Sequence, residues 1–367
     1  MFSLSFLTVP LFAALLTFGF AVVTDHQTVF IDRIAVPKKL SDETGYTPDV
    51  VIGRLADNMR EIELQASSRA EARELRLQND RTIVGVLGEF LKVTPIIRVA
   101  QETGGLIPFS FTGEVVAHGK ELEMTLRGYD AKRRSILISE RAYVDQFAGL
   151  IRTVAVEVMR EVDPYLLAAY QFRQDYRRRD FTNTLEIIVR ELGKKTVDAN
   201  TKWLYNLWGI VLYQQNNRLS AVEKFQEALA VDPLFLSPRL NWAVVQARQG
   251  ENAQAIESFK QIVEIGAHQP ENVDTVAAAY SEWGFSLALL NRFDEAFVKF
   301  EKARSLSPKF ADVYTSWAEV LSAIGRKEEA EKMTAMALDL APEEVIYTEN
   351  LIGSIQNLPA DAKGNQN

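Results

Sequence analysis

Four of the five tryptophans in this 367-residue chain, Trp208, Trp242, Trp283 and Trp317, stand 34, 41 and 34 residues apart, each followed directly by Gly or Ala. Behind Trp208 come Gly209, Leu212, Ala221, Phe225, Ala228 and Pro233; behind Trp283, at the same intervals, come Gly284, Leu287, Ala296, Phe300, Ala303 and Pro308. Trp317 leads Ala318, Leu321, Ala330, Ala337 and Pro342, and Trp242 leads Ala243, Ala255, Phe259 and Ile262. A period near 34 residues accommodates two antiparallel helices and two short turns, with small residues where backbones approach and bulky ones filling the gaps between them. A proline after the second helix stops it, because it has no N–H to extend the ladder.

The ladder resembles the tetratricopeptide repeat over residues 202–344. Its second unit departs from the pattern: Gln246 replaces a bulky residue, Ala267 stands where Pro is expected, and seven extra residues, 270–276, precede the third unit and predict a longer helix or a loop. Residues 165–200 read as a degenerate helix pair in front, 345–358 as a capping helix, and 359–367 as a loose tail. A cap is expected because each repeat buries its faces only against its neighbours.

The resemblance implies that the first helix of each repeat lines a concave surface. That places Ile210 and Tyr213, Val244 and Ala247, Phe285 and Ala288, and Glu319 and Ser322 on it, with Asp312 joining Glu319 at an acidic end, and leaves positions such as Lys299 on the convex side. Chaperone-binding members of the family clamp a peptide carboxylate with Lys, Arg and Asn, and no such clamp stands at these positions. Ile210, Tyr213, Val244, Phe285, Ala288, Asp312 and Glu319 are therefore the expected partner-binding residues, suited to a segment with apolar anchors and a basic end. The competing expectation is that the apolar ones pack between neighbouring helices.

Ahead of the repeats, no charged side chain precedes Asp25 and residues 2–23 are largely apolar. About 22 helical residues span roughly 33 Å, enough for a bilayer core. A cleaved signal peptide, with Gly19-Phe20-Ala21 as its cleavage site, competes with a retained anchor; the missing basic leader favours the anchor, over residues 1–24. Arg33, Lys38 and Lys39 behind it leave the side of the soluble body open. The expected localisation is thus a single-pass bacterial inner-membrane protein.

Residues 26–163 show a mixed pattern: a strand over 28–36, a helix capped by Thr47 with Pro48 in its first turn and Val50, Ile52, Leu55, Met59 and Ile62 on its apolar face, and a second helix from Leu87 towards Glu102. Strands follow at 107–117, 121–127 and 135–139, with Leu122, Met124 and Leu126 alternating against Glu123, Thr125 and Arg127. A helix over 143–162 closes the region, with Phe147, Ile151, Val154, Val158 and Met159 inward. The run Phe111-Thr112-Gly113-Glu114-Val115, Gly119 and the strand after it are similar to the amino-terminal domain of TolB and to domains preceding tetratricopeptide arrays in bacteria. The fold class expected is α+β: a transmembrane helix, a small α+β domain and an all-α solenoid.

A net charge of −8 argues against nucleic acid, whose affinity draws on clustered Lys and Arg. The basic runs Lys132-Arg133-Arg134 and Arg177-Arg178-Arg179, with Arg173, are diluted by Asp130, Asp175 and Asp180 and read as solvated, with anionic lipid as the sharper alternative. The chain has no cysteine, and its three histidines, His26, His118 and His268, are scattered. Gly85-Val86-Leu87-Gly88 lacks the spacing and the lysine of a phosphate loop. No catalytic site, metal or cofactor is expected. The chain reads as a membrane-anchored scaffold binding a protein or peptide in its repeat groove, the alternative being a ligand-sensing or regulatory protein that uses its α+β domain.

Overall fold

The computed structural model describes residues 29–66, 107–130, 134–194, 197 and 200–340, and the chain divides into two units, the second beginning its helical run at Pro164. In the first, β1 (Val29–Ala35), α1 (Lys38–Thr44) and α2 (Pro48–Ala66) precede β2 (Phe109–His118), β3 (Glu121–Asp130), β4 (Ser135–Tyr143) and α3 (Phe147–Val162). The sheet order is β1-β2-β3-β4. Strands β2 to β4 form an antiparallel meander, and β1 lies parallel to β2. Parallel pairing requires a crossover rather than a hairpin, and α1 and α2 lie on that crossover.

Gly119, at φ 67°, supplies the left-handed turn that brings His118 opposite Glu121. Alternation along β3 then sends Leu122, Met124 and Leu126 into the core, all fully buried, and puts Glu123 and Arg127 on the other face. There Arg127 pairs with Glu114 at 2.7 Å and Arg141 with Glu123 at 2.9 Å. Helix α3 packs on β3 and β4 and buries Phe147, Ile151, Val154, Val158 and Met159. In α2 the apolar stripe differs from the expected one: Val51, Leu55, Met59 and Ile62 are buried, while Val50 is 40% exposed. Positions 51, 55, 59 and 62 follow the i, i+4 course of one helix face, which Val50 leaves by about 100°.

The second unit is helical throughout its described length: α4 (Pro164–Arg178), α5 (Thr182–Leu192), α6 (Thr201–Gln214), α7 (Arg218–Val231), α8 (Leu236–Arg248), α9 (Asn252–Gly266), α10 (Val273–Leu289), α11 (Phe293–Leu306), α12 (Ala311–Ala323) and α13 (Lys327–Leu340). Each helix packs on the next, forming antiparallel pairs from α4/α5 to α12/α13. The ladder residues explain the close approach within pairs. A Cβ on Gly209 would strike the ring of Phe225, and one on Gly284 would lie 3.2 Å from the ring of Phe300. Ala221, Phe225, Ala296 and Phe300 are fully buried between the paired helices. The seven-residue insertion becomes a 3-10 turn, Pro270–Asn272, and a longer α10 of 17 residues.

Every turn within these pairs uses the same device. Eight residues after each of the four ladder tryptophans the backbone enters the left-handed region, Asn216 at φ 61°, Gly250 at 85°, Asn291 at 59° and Gly325 at 82°, and Arg179 at φ 57° does the same between α4 and α5. The next amide then bonds back to the last turn of the first helix, as Arg292 does to the Leu287 carbonyl at 2.9 Å. This closes the helix with a left-handed cap.

The expected transmembrane helix and inner-membrane localisation are corrected. Among the described residues no helix is long and apolar enough to cross a membrane, and residues 1–24, which carried that expectation, lie outside them. The fold is mostly helical, with a small four-stranded sheet and a helical-repeat region. The second helix expected from Leu87, the glycines at 85 and 88, His26, Lys132 with Arg133, the capping helix 345–358 and the tail also lie outside the described residues.

Candidate functional site

Within the repeat unit, first helices meet their counterparts in the next pair, α6 with α8, α8 with α10 and α10 with α12, whereas second helices scarcely meet theirs. The array is therefore shorter along its first helices, and their inner line is the surface where a partner segment would lie. Of the residues expected there, the structure buries Ile210, Val244, Phe285 and Ala288 in the packing between helices, each 3% exposed or less. Tyr213, Asp312 and Glu319 are half-buried. Lys299, expected to be exposed on the convex side, lies over the face of Trp283, 3.7 Å from the ring centroid, and this burial lowers its pKa.

The inner line is polar to an extent that an apolar ladder does not require. Asn241 on α8 donates to Asn206 on α6 at 2.8 Å, both side chains fully enclosed. One repeat further, Arg248 at the end of α8 meets Glu282 on α10 at 3.1 Å; Glu282 is 0% exposed and Arg248 13%. The Arg248 guanidinium also lies over the Phe285 ring, 5.3 Å from its centroid. Glu319 on α12 completes the group, and burial pushes its carboxyl up to about 7, opposed by Arg248 and reinforced by Glu282. Not all of these groups are satisfied: Arg248 Nε and Nη1, and the hydroxyls of Ser281 and Ser286, are enclosed without a hydrogen bond.

Sequence reasoning placed Glu319 on the inner surface but missed Arg248 and Glu282. The signal available was Glu282 itself, a carboxylate immediately before Trp283 within the apolar stretch of α10. Its partner lies 34 residues earlier, about one repeat away, and only the fold brings the two together. Among the described residues no group of His, Asp and Glu is arranged to hold a metal. A separate cleft of about 650 Å³ lies between α11 and α13, lined by Phe297, Val298 and Trp317 and edged by Arg326 and Glu329.

A serial stack of antiparallel helix pairs at a period near 34 residues, with a polar inner line, makes the second unit a helical-repeat array of the tetratricopeptide type. No family model matches the chain, so the likeness of its first unit to the TolB amino-terminal domain gains no support from that side. The chain is similar to the DnaJ homolog subfamily C member 7 homolog of Schizosaccharomyces pombe, 26% identical over 229 residues, which is 56% of this chain and 46% of that protein. It is also similar to the protein O-mannosyl-transferase TMTC1 of Homo sapiens, 33% identical over 85 residues, 23% of this chain and 9% of that one. The chain thus spans less than half the length of either relative. Among solved structures, MamA aligns at a TM-score of 0.33 and 18% identity, covering 46% of this chain and 93% of that one.

Proposed function

We propose that the protein is an interaction scaffold, without catalysis of its own, that holds a segment of a protein partner along the inner line of α6, α8, α10 and α12. The observation that carries this reading is the enclosed Arg248–Glu282 pair with Glu319 beside it. A buried ion pair is weak support for stability, because desolvation takes back most of its attraction. Helices that only needed to stack would be served as well by apolar side chains. Tyr213 and Glu319 stay half-buried and Ser322 exposed along the same line, so polar groups remain within a partner's reach there.

Site-specific photocrosslinking tests the reading. A photoreactive residue at Tyr213 or at the exposed Ser322 is compared with one at Leu219, 79% exposed on α7. A discrete product shared by Tyr213 and Ser322 and missing from Leu219 is expected. Equal labelling from Leu219, or no product from the inner positions, rejects the scaffold.

A further inference from the structure

We propose that the cleft between α11 and α13 is a second binding site of this chain, suited to a small hydrophobic acid: an aromatic or aliphatic body with one anionic group at its end. It lies between second helices rather than on the inner line, and it does not depend on the scaffold reading.

The cleft follows from how the repeats stack. First helices meet their counterparts while second helices scarcely do, so α11 and α13 are splayed and a space of about 650 Å³ is left between them. That volume falls within the range of about 300–1,000 Å³ usual for small-molecule sites. The α11 wall runs from Phe297 to Ser305, eight residues and roughly 12 Å of helix, which suits an elongated ligand.

The lining is exposed where a ligand enters and apolar where it rests. Val298 is 56% exposed and Lys302 and Ser305 are exposed, whereas Phe297 is half-buried and Trp317 is 8% exposed at the floor. Sixteen residues after Trp208 and Trp283 stand lysines that cover those rings, Lys224 at 4.2 Å and Lys299 at 3.7 Å. The same position in α12/α13 is Met333, and Trp317 is met instead from α11, by the Phe300 ring at 5.8 Å and the Arg304 guanidinium at 6.0 Å. Trp317 therefore packs towards the pair in front of its own, where its indole floors the cleft.

Charge sets the class of ligand. Both carboxylates of the lining are taken: Glu329 by Arg326, at 2.7 and 2.6 Å, and Glu301 by Arg304 at 2.6 Å. Arg326 also covers the Phe297 ring, 4.9 Å from its centroid. The Lys302 ammonium, by contrast, has no hydrogen bond or ion pair among the described residues. At the Arg326 end, Glu329 and Asp294 both act on one guanidinium, which leaves the surplus positive charge at the Lys302 end. Ser305 donates its hydroxyl proton to the Lys302 carbonyl at 2.8 Å, so the ammonium is the donor that this end offers. An acid group on Lys302, with an apolar body laid over Val298, Phe297 and Trp317, answers both halves of the cleft.

The test uses the full chain and two fluorescent probes that differ by a single group, anilinonaphthalene sulfonate and its uncharged parent, N-phenylnaphthylamine. Both are expected to bind saturably, the sulfonate about tenfold more tightly, the gain of one charged hydrogen bond. Lys302→Gln should bring the sulfonate down to the affinity of the parent and leave the parent unchanged. Val298→Trp, which fills the cleft from an exposed position, should weaken both, and an unchanged melting temperature would show its fold intact. A sulfonate that binds no more tightly than its parent, or an advantage that survives in Lys302→Gln, overturns the acid receptor. Binding that is unchanged in Val298→Trp places the probes elsewhere on the chain and overturns the site itself, as does failure of either probe to saturate. None of these outcomes bears on the inner line, whose crosslinking test is separate.

Discussion

At the scale of single residues, the structure is decided by a few positions where backbone or charge leaves little choice. Asn291 sits at φ 59°, a region L-residues avoid at a cost of roughly 1–2 kcal/mol and asparagine tolerates better than most. Asn291→Val is expected to lower stability by about that amount, whereas Asn291→Gly is neutral or slightly stabilising; chemical denaturation of the two variants checks the contrast. Glu319 makes a prediction of opposite sense to an ordinary carboxylate. Its folded pKa of about 7 lies above the usual value of 4.5, so between them the folded protein holds a proton that the unfolded chain has lost. Stability is therefore highest below that window and falls as pH rises through it. In Glu319→Gln this part of the slope is expected to vanish, so that the variant gains on the wild type from pH 5 to pH 8; melting temperatures across that range read it. The left-handed turn residues were invisible as a motif because Asn and Gly alternate at one structural position, two solutions to the same φ requirement.

At the scale of elements, the ladder of Gly, Ala, Phe and Pro defined the helix pairs because each ladder residue answers a local steric demand, as Gly209 does against Phe225. Strand β3 was equally legible, since a period of two with one wet face has a single structural meaning. Contacts between repeats were not legible. Residues 248 and 282 are one such contact, joining α8 to α10, and their value is set by enclosure rather than by type. Arg248→Met leaves Glu282 enclosed without a counter-charge and should cost about 3–5 kcal/mol. Glu282→Gln should cost less, because Arg248 keeps Glu319 nearby, and Arg248→Met combined with Glu282→Met should recover most of the loss. A double-mutant cycle in urea measures the coupling; costs that simply add would show that the two side chains act independently. The same reasoning explains the reach and the limit of the expected site: periodicity located the inner line, but it could not tell that Ile210, Val244 and Phe285 are buried while Glu319 stays half-buried.

At the scale of the repeat unit, stability accumulates pair by pair, since each pair buries its faces against its neighbours. Interior pairs have neighbours on both sides. Among the described residues α12/α13 packs on repeats from one side only, and its core ends in Met333 and Ala337, each 9% exposed, against 0% for Phe225, Phe259 and Phe300 further in. Such an array opens from its ends, so two substitutions of similar type should have different reach. Phe259→Ala removes a fully enclosed ring from the middle of the array and is expected to cost about 3–5 kcal/mol. Because the pairs on either side of α8/α9 lose the neighbour they stack on, amide exchange should accelerate from α6 to α11 together. Met333→Ala removes a side chain at the edge of the core, and its cost should fall at or below the roughly 2 kcal/mol that begins the range for buried methionine. Faster exchange should then be confined to α12 and α13. Hydrogen exchange resolved by segment distinguishes the two patterns. Uniform acceleration by both variants would mean that the helices fold as one cooperative block. The groove's acidic end would then be as rigid as its middle, and Glu319 would meet its partner on a preformed surface rather than on the part of the array that opens first.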